Sequence, residues 1–385
     1  MKKKSILTLT DLADGYGHFP RQIKMMEAFL DNNFDIYWIG PKKIKNNKFK
    51  FIKLECSYLP NLAFVGLFIK VFFTIIKNYK KLKSINYCLA IREYDAICLF
   101  FNPFLKCKKI FFSRGDRLTD ISYNLKYVGV IKKIKLIISK IYFPFIQRIV
   151  LKKANINLFQ QHFLKKLALN RYPLASFKTF ILKNNVVYNK NYKLEKNKTL
   201  YNKKIINIGF AAPMWWSVKG LGVMLNIIES FKKKDEKVHF QFNLAGDGPD
   251  LQKFKKKLEK NRNVKFYGWV KNIYSFIKKQ DIIIIPSKYD NNPNFILECL
   301  STNKILFASN IPAHKEMLKD RRLLFNYKNP VEVKKKIISC VNNKIIKNQI
   351  YNIIEKRRKN LTFDWKKKLF KKIINFLDRK KSEKI

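Results

Sequence analysis

The chain has 385 residues, enough for two domains at roughly 100–200 residues each. Hydrophobic residues at 47% and aromatics at 15% exclude a chain that stays unfolded, and length with only six cysteines excludes a small disulfide scaffold. The formal net charge of +54 points first to nucleic acid or an anionic membrane, but only twelve of the 81 basic residues are Arg and the lysine excess runs along the whole chain, so no nucleic-acid partner is expected.

Met1–Lys4 leads into Ser5–Thr10, a run too short for a signal-peptide core and followed by a polar glycine turn. It reads as a first strand. Short apolar runs then alternate with longer helical patterns, the rhythm of parallel sheets covered by crossover helices. In the first half strands are expected near 5–10, 34–39, 96–101, 109–113 and 155–159, with helices near 20–32, 62–82 and 131–153. The apolar run Leu62–Ile76 carries Lys70 and falls short of the roughly twenty residues that span a bilayer. As one helix, 62–82 sets Lys70, Thr74, Lys77 and Lys81 on a single stripe, and the helix near 131–153 mixes Ile, Leu and Phe with Lys132, Lys133, Lys135 and Lys140. Such helices either cover a sheet or lie on an anionic surface.

A polar stretch, Lys183–Lys204, separates a second set of elements. Its strands fall near 205–209, 238–245, 264–267, 281–285 and 305–308, and its helices near 219–234, 249–260, 271–279 and 293–302. From about 343 the chain is helical and basic. The expected organisation is a first α/β domain over 1–183, a linker over 184–204 and a second α/β domain over 205–364, with a terminal helix over about 365–385 able to pack back on the first. The cysteines show no close pair and no His at ligand spacing, which suits reduced thiols in a cytoplasmic protein.

Glycine is scarce, twelve in all, and nine sit at strand ends or loops: Gly15, Gly17, Gly115, Gly209, Gly220, Gly222, Gly246, Gly248 and Gly268. A chain so sparing with glycine keeps it where the backbone turns or lies against a ligand, and strand-end loops of a doubly wound sheet are where ligands bind. Gly15 and Gly17, followed by His18, lie between the first strand and the first helix, where amides and the helix dipole can meet an anion.

The most informative segment is Pro286-Ser287-Lys288-Tyr289-Asp290-Asn291-Asn292-Pro293-Asn294-Phe295-Ile296-Leu297-Glu298, directly after the apolar run 281–285. Strand, polar turn and helix place Asp290 in the turn and Glu298 in the helix, two carboxylates able to accept sugar hydroxyls. Taken alone, Asp290 reads equally as a turn residue and Glu298 as a solvated helix position. Together the segment resembles the signature of GT-B glycosyltransferases of family 4, an acidic residue and, after seven others, a Glu behind a buried strand. Four more segments resemble that family in the same order: Leu182–Val186 as the interdomain joint, Ile206–Gly209 through Lys219-Gly220, Phe242–Pro249 with its G-D-G-P turn, and Val264–Val270. The likeness is close over about 180–320 and architectural over 1–180.

The resemblance implies two Rossmann-like doubly wound domains facing a cleft, and a retaining transfer of sugar from a nucleoside diphosphate sugar to a saccharide acceptor; if that acceptor is lipid-linked, the basic helices near 62–82 and 131–153 are expected at an anionic membrane surface. It assigns Glu298 to the ribose hydroxyls, Asp290 to the donor sugar, Lys219 to the diphosphate and Trp269 to the base. Gly15, Gly17, Gly209, Gly220, Gly246, Gly268 and Asn294 complete the nucleotide-sugar site. Arg114 stands where many relatives place a His, and Asp116 is the candidate for orienting the acceptor. Phe210 departs from the Arg usual after the first glycine of the second domain, and Asp290 stands where Glu is commoner. No D-x-D, H-E-x-x-H or Walker lysine loop occurs, so no metal or other cofactor is expected. A basic membrane- or polyanion-binding protein on a degenerate scaffold, and a sugar phosphorylase of the same fold, are the alternatives.

Overall fold

Ser5–Leu9 and Ile282–Ile285 are buried at every position, a pattern that suits strands covered by helices on both faces. The computed structural model, which describes residues 3–10, 19–44, 46–54, 63–174, 178–187, 200, 203–231 and 238–379, builds two parallel sheets from such strands. Contacts divide the chain into one unit of Met1–Leu118, Ile138–Lys183 and Asp364–Ile385 and another of Thr119–Ile137 and Asn184–Phe363.

In chain order the first elements are β1 (Ser5–Leu9), α1 (Phe19–Leu30), β2 (Asp35–Gly40), β3 (Lys50–Lys53), α2 (Ala63–Lys77), α3 (Tyr79–Leu82), β4 (Tyr87–Ala90), α4 (Glu93–Phe100), β5 (Lys108–Ser113), α5 (Arg117–Asn124), α6 (Val130–Lys153), β6 (Ile156–Phe159), α7 (His162–Arg171) and β7 (Thr179–Ile181). The seven strands pair in parallel in the order β3-β2-β1-β4-β5-β6-β7. The order reverses between β1 and β4, which opens a crevice at the carboxyl ends of those strands.

The second set comprises β8 (Ile205–Ala211), α8 (Leu221–Ser230), β9 (His239–Ala245), α9 (Leu251–Leu258), β10 (Val264–Gly268), α10 (Ile273–Lys279), β11 (Ile282–Ile285), α11 (Asn294–Ser301), β12 (Ile305–Ser309), α12 (Pro312–Leu318), β13 (Leu324–Phe325), α13 (Pro330–Asn342) and α14 (Lys344–Leu361). Its six strands are also parallel, in the order β10-β9-β8-β11-β12-β13, with the reversal between β8 and β11. Phe242, Ile283, Leu306 and Phe307, all fully buried, sit at the centre of its core. The last helix, α15 (Trp365–Arg379), lies on α1 in the first unit: Phe370 meets Phe29 and Phe34 edge-on, and the Trp365 indole donates to the Lys183 carbonyl at 3.0 Å.

Three expectations are corrected. Residues 96–101, expected as a strand, lie in and just after α4, and the strand of that region is Tyr87–Ala90. Acidic Glu93 and Asp95 in the first helical turn, with Arg92 bonded to Asp95 at 2.9 Å, favour the helix over an apolar run that is ambiguous by itself. The helix expected over 62–82 breaks at Asn78, whose side-chain amide donates to the Thr74 carbonyl at 2.9 Å; this cuts the Lys70–Lys81 stripe. Gly209, expected at the ligand, is a buried mid-strand residue of β8. A Cβ there would stand 2.5 Å from Gln280 Cγ and 2.7 Å from Ile283 Cδ1, so the glycine makes room for the neighbouring strand and the buried Gln280 amide. Among the described residues no helix is long and apolar enough to cross a membrane.

Candidate functional site

Two strand-to-helix connections of the second unit leave the reversal point side by side, one from β8 to α8 and one from β11 to α11. They are tied backbone to backbone: the Val218 carbonyl accepts from the amides of Lys288 at 2.9 Å and Tyr289 at 3.3 Å. Gly220 caps α8 in the left-handed region, φ 72°, and a Cβ there would fall 2.0 Å from the Pro286 carbonyl oxygen, so only glycine fits. This close approach brings Lys219 Nζ to 2.7 Å from Asp290 Oδ2. The other oxygen, Oδ1, accepts from the Asn292 amide at 3.0 Å. Burial pushes the Asp290 carboxyl up, but the charge and hydrogen bond of Lys219, with His314 and the Asn292 amide, hold it below the usual carboxylate range. The pair is therefore ionised and mostly buried, an arrangement that depends on both members.

Glu298 lies in the second turn of α11, half-buried, and its carboxyl has no hydrogen-bond partner among the described residues. Burial pushes it up to about 7. Asn294, at the start of the same helix, is exposed and accepts from the Asn184 side chain at 2.9 Å.

The remaining glycines shape the loop that carries Lys219. Gly246 has φ 133°, and a Cβ would meet the Ala212 carbonyl at 1.9 Å. The loop is stitched to the turn after β9 by Ala212 N to the Ala245 carbonyl at 3.1 Å, Met214 N to the Asp247 carbonyl at 2.9 Å and Trp216 N to Asp250 Oδ2 at 2.8 Å. Gly246 in turn donates to the Gly268 carbonyl at 2.7 Å. Among the described residues, its chain neighbours aside, no atom lies within 4 Å of a Cβ built on Gly268, and Trp269 beside it is 72% exposed, an aromatic face open to a ligand.

Arg114 and Asp116 belong to the first unit. Burial and the nearby Arg21 charge hold the Arg114 guanidinium down to about 10. Asp116 is buried with both oxygens held by Arg171, Oδ2 at 2.9 Å from Nη2, so its carboxylate pins α7 beside the end of β5. Gly15, Gly17 and His18 lie outside the described residues.

Sequence reasoning missed His314, in α12. It is completely buried; Nδ1 lies 2.8 Å from the Ser309 carbonyl oxygen, and Nε2 is buried with no partner among the described residues. A carbonyl can only accept, so Nδ1 carries the proton and Nε2 a bare lone pair. Burial holds the ring down to about 4, against the pull of Asp290. The one available signal was an imidazole two residues after Pro312, directly behind a strand end.

Comparison with known proteins bears on the family and the fold. A family model described as Glycosyl transferases group 1 matches residues 205–343. The capsular polysaccharide biosynthesis glycosyltransferase CapH of Staphylococcus aureus is 26% identical over 177 residues, 43% of this chain and 47% of CapH, so the match spans about half of that relative. Among solved structures, the lipopolysaccharide outer core galactosyltransferase WaaB superposes with a TM-score of 0.67 at 13% identity, covering 98% of this chain and 99% of WaaB. Anabaena HepE, solved with UDP and glucose, gives 0.69 at 10% identity over 98% and 100%. At such identities the likeness establishes the fold, which is GT-B.

The environment of Glu298 makes a pH-dependent prediction. Its folded carboxyl titrates near 7 against an ordinary 4.5. The folded state therefore binds more protons than the unfolded one between those values, and stability falls as pH rises through that window, by about 3 kcal/mol in full. Urea denaturation should find Glu298→Gln more stable than the parent at pH 8 and equal to it near pH 4.5. A difference that does not change with pH would place the carboxyl in water.

Proposed function

We propose that this chain, whose residues 205–343 match a family model described as Glycosyl transferases group 1, is a glycosyltransferase that moves a sugar from a nucleoside diphosphate sugar to a saccharide acceptor with retention at the anomeric carbon. The observation that carries this reading is the buried Lys219–Asp290 pair at the reversal of the second sheet, with the Glu298 carboxyl, which has no hydrogen-bond partner among the described residues, in the helix that follows Asp290. As the bond between C1 and the diphosphate opens, negative charge grows on the leaving phosphate. Lys219, turning from Asp290 toward the leaving phosphate, stabilises that charge where it develops, together with the amides at the start of α11. Asp290 accepts hydroxyls of the donor sugar. Glu298 takes the ribose hydroxyls, whose hydrogen bonds favour its ionised form, and Trp269 stacks on the base. Arg114 is a further catalytic residue in this reading, and no metal is invoked.

The relatives' association with capsular polysaccharide and lipopolysaccharide supports a role in cell-surface polymer or glycolipid assembly with a lipid-linked acceptor. Two helices suit a membrane surface. On α2, Ile69 and Phe73 are exposed, and on α6 Ile131, Ile134, Ile141 and Phe145 stand exposed among Lys132, Lys133, Lys135 and Lys140. Apolar side chains that enter the headgroup layer gain burial, and each nearby lysine adds roughly 1 kcal/mol on an anionic surface.

Two measurements test these readings. Lys219→Ala should lower kcat with a nucleoside diphosphate sugar by about 100-fold or more while weakening donor binding far less, since the charge matters most as the diphosphate leaves. Equal losses in both would make Lys219 a ground-state anchor. At low salt the protein should sediment with anionic vesicles, and Lys→Glu changes at Lys132, Lys133 and Lys135 should weaken this. Equal recovery with neutral vesicles would assign a soluble acceptor.

A further inference from the structure

His314 takes no part in the mechanism above, yet it is tied closely to its central ion pair. The ring is fixed by its Nδ1–H bond to the Ser309 carbonyl, with the Ser309 hydroxyl 3.2 Å from the same nitrogen. That hydroxyl donates to the Ser287 carbonyl at the end of β11, which ties β12 and the imidazole to the connection bearing Asp290. Protonation can therefore occur only at Nε2, the buried atom without a partner among the described residues. The charged groups acting on the ring are Asp290, from the β11–α11 connection, and Lys219, from the β8–α8 connection; the first favours its protonation and the second opposes it.

A buried ion pair is stable only while both members are present, because removing one leaves an uncompensated charge in a poorly solvated place. The proposed function asks Lys219 to turn toward a diphosphate, and at that moment Asp290 loses its cation. We propose that His314 is a positioning residue that takes up a proton at Nε2 when Lys219 leaves Asp290, so that Asp290 stays ionised and in place to hold the donor sugar. The imidazolium then replaces the ammonium as the balancing charge, one proton entering from solvent and no covalent bond changing. The inference rests on the proposed role of Lys219 toward the diphosphate, but the exchange of charges between Lys219 and His314 can be tested without any nucleotide.

The chain contains four histidines, so the imidazole resonances can be followed by NMR and that of His314 identified by its loss in His314→Gln. In the free parent protein His314 should remain neutral down to about pH 5. In Lys219→Ala, with no ligand, it should titrate at least one pH unit higher, a tenfold gain in protonation; in Lys219→Ala with Asp290→Asn that gain should vanish. Saturating the parent protein with a nucleoside diphosphate should produce the same upward shift. A His314 that stays neutral in Lys219→Ala overturns the inference and puts the proton on Asp290 instead. A shift in Lys219→Ala without one on nucleotide addition supports the charge exchange and counts against the diphosphate role of Lys219. In turnover, His314→Gln should lose tenfold or more in kcat while its nucleoside diphosphate Kd changes less than threefold. Parallel losses in both, or in thermal stability alone, would assign it a structural role.

Discussion

The second unit is organised around one buried ion pair. Lys219 and Asp290 come from different connections, 71 residues apart in sequence, and neither charge is tolerable there alone. The requirement that they meet explains the close backbone packing around them. Val218 receives two amides from the opposite connection, Gly220 admits the Pro286 carbonyl, and Gly246 lets the turn after β9 brace the loop leading to Lys219. The glycines are thus partly structural: they remove side chains so that two polypeptide turns can approach closely enough to place a cation against an anion.

Around the pair the environments of three titratable groups diverge. Asp290 is held below the ordinary carboxylate range by its cation, Glu298 is pushed up to about 7 by burial, and His314 is pushed down to about 4 by complete burial. Divergence of this kind separates roles: one carboxylate is committed while ligand-free, one acceptor is uncommitted, and one base lacks a proton. The uncommitted acceptor suits a pair of hydroxyls. The committed pair suits a ligand able to compete for the cation.

The sequence conveyed the larger features because they rest on strong local signals. Four consecutive isoleucines before a polar turn mark β11, and rare glycines at strand ends mark the connections, so the alternation of strands and helices and the Asp290–Glu298 segment were legible. What was not legible depends on tertiary context. The apolar run at 96–101 carries no intrinsic preference strong enough to choose strand or helix, and only acidic residues at its start and packing in the fold decide. Gly209 looks like the other strand-end glycines, but its missing Cβ is occupied by Gln280 and Ile283, contacts made across sequence separations of about 70 residues. Asp116 reads as an available carboxylate until Arg171 is found to hold both its oxygens. His314 is invisible because its meaning lies in an orphaned nitrogen and in two charges from other segments.

The central claim is that Asp290 and a diphosphate compete for Lys219. The most direct measurement is the affinity of Asp290→Asn for a nucleoside diphosphate without a sugar, by calorimetry across a panel of bases. Removing the competing carboxylate should leave binding as tight as in the parent protein or tighter, while the added affinity contributed by the sugar of a nucleoside diphosphate sugar is lost. Nucleoside diphosphate binding clearly weaker than in the parent protein would contradict the account, since the carboxylate would then be holding the nucleotide itself.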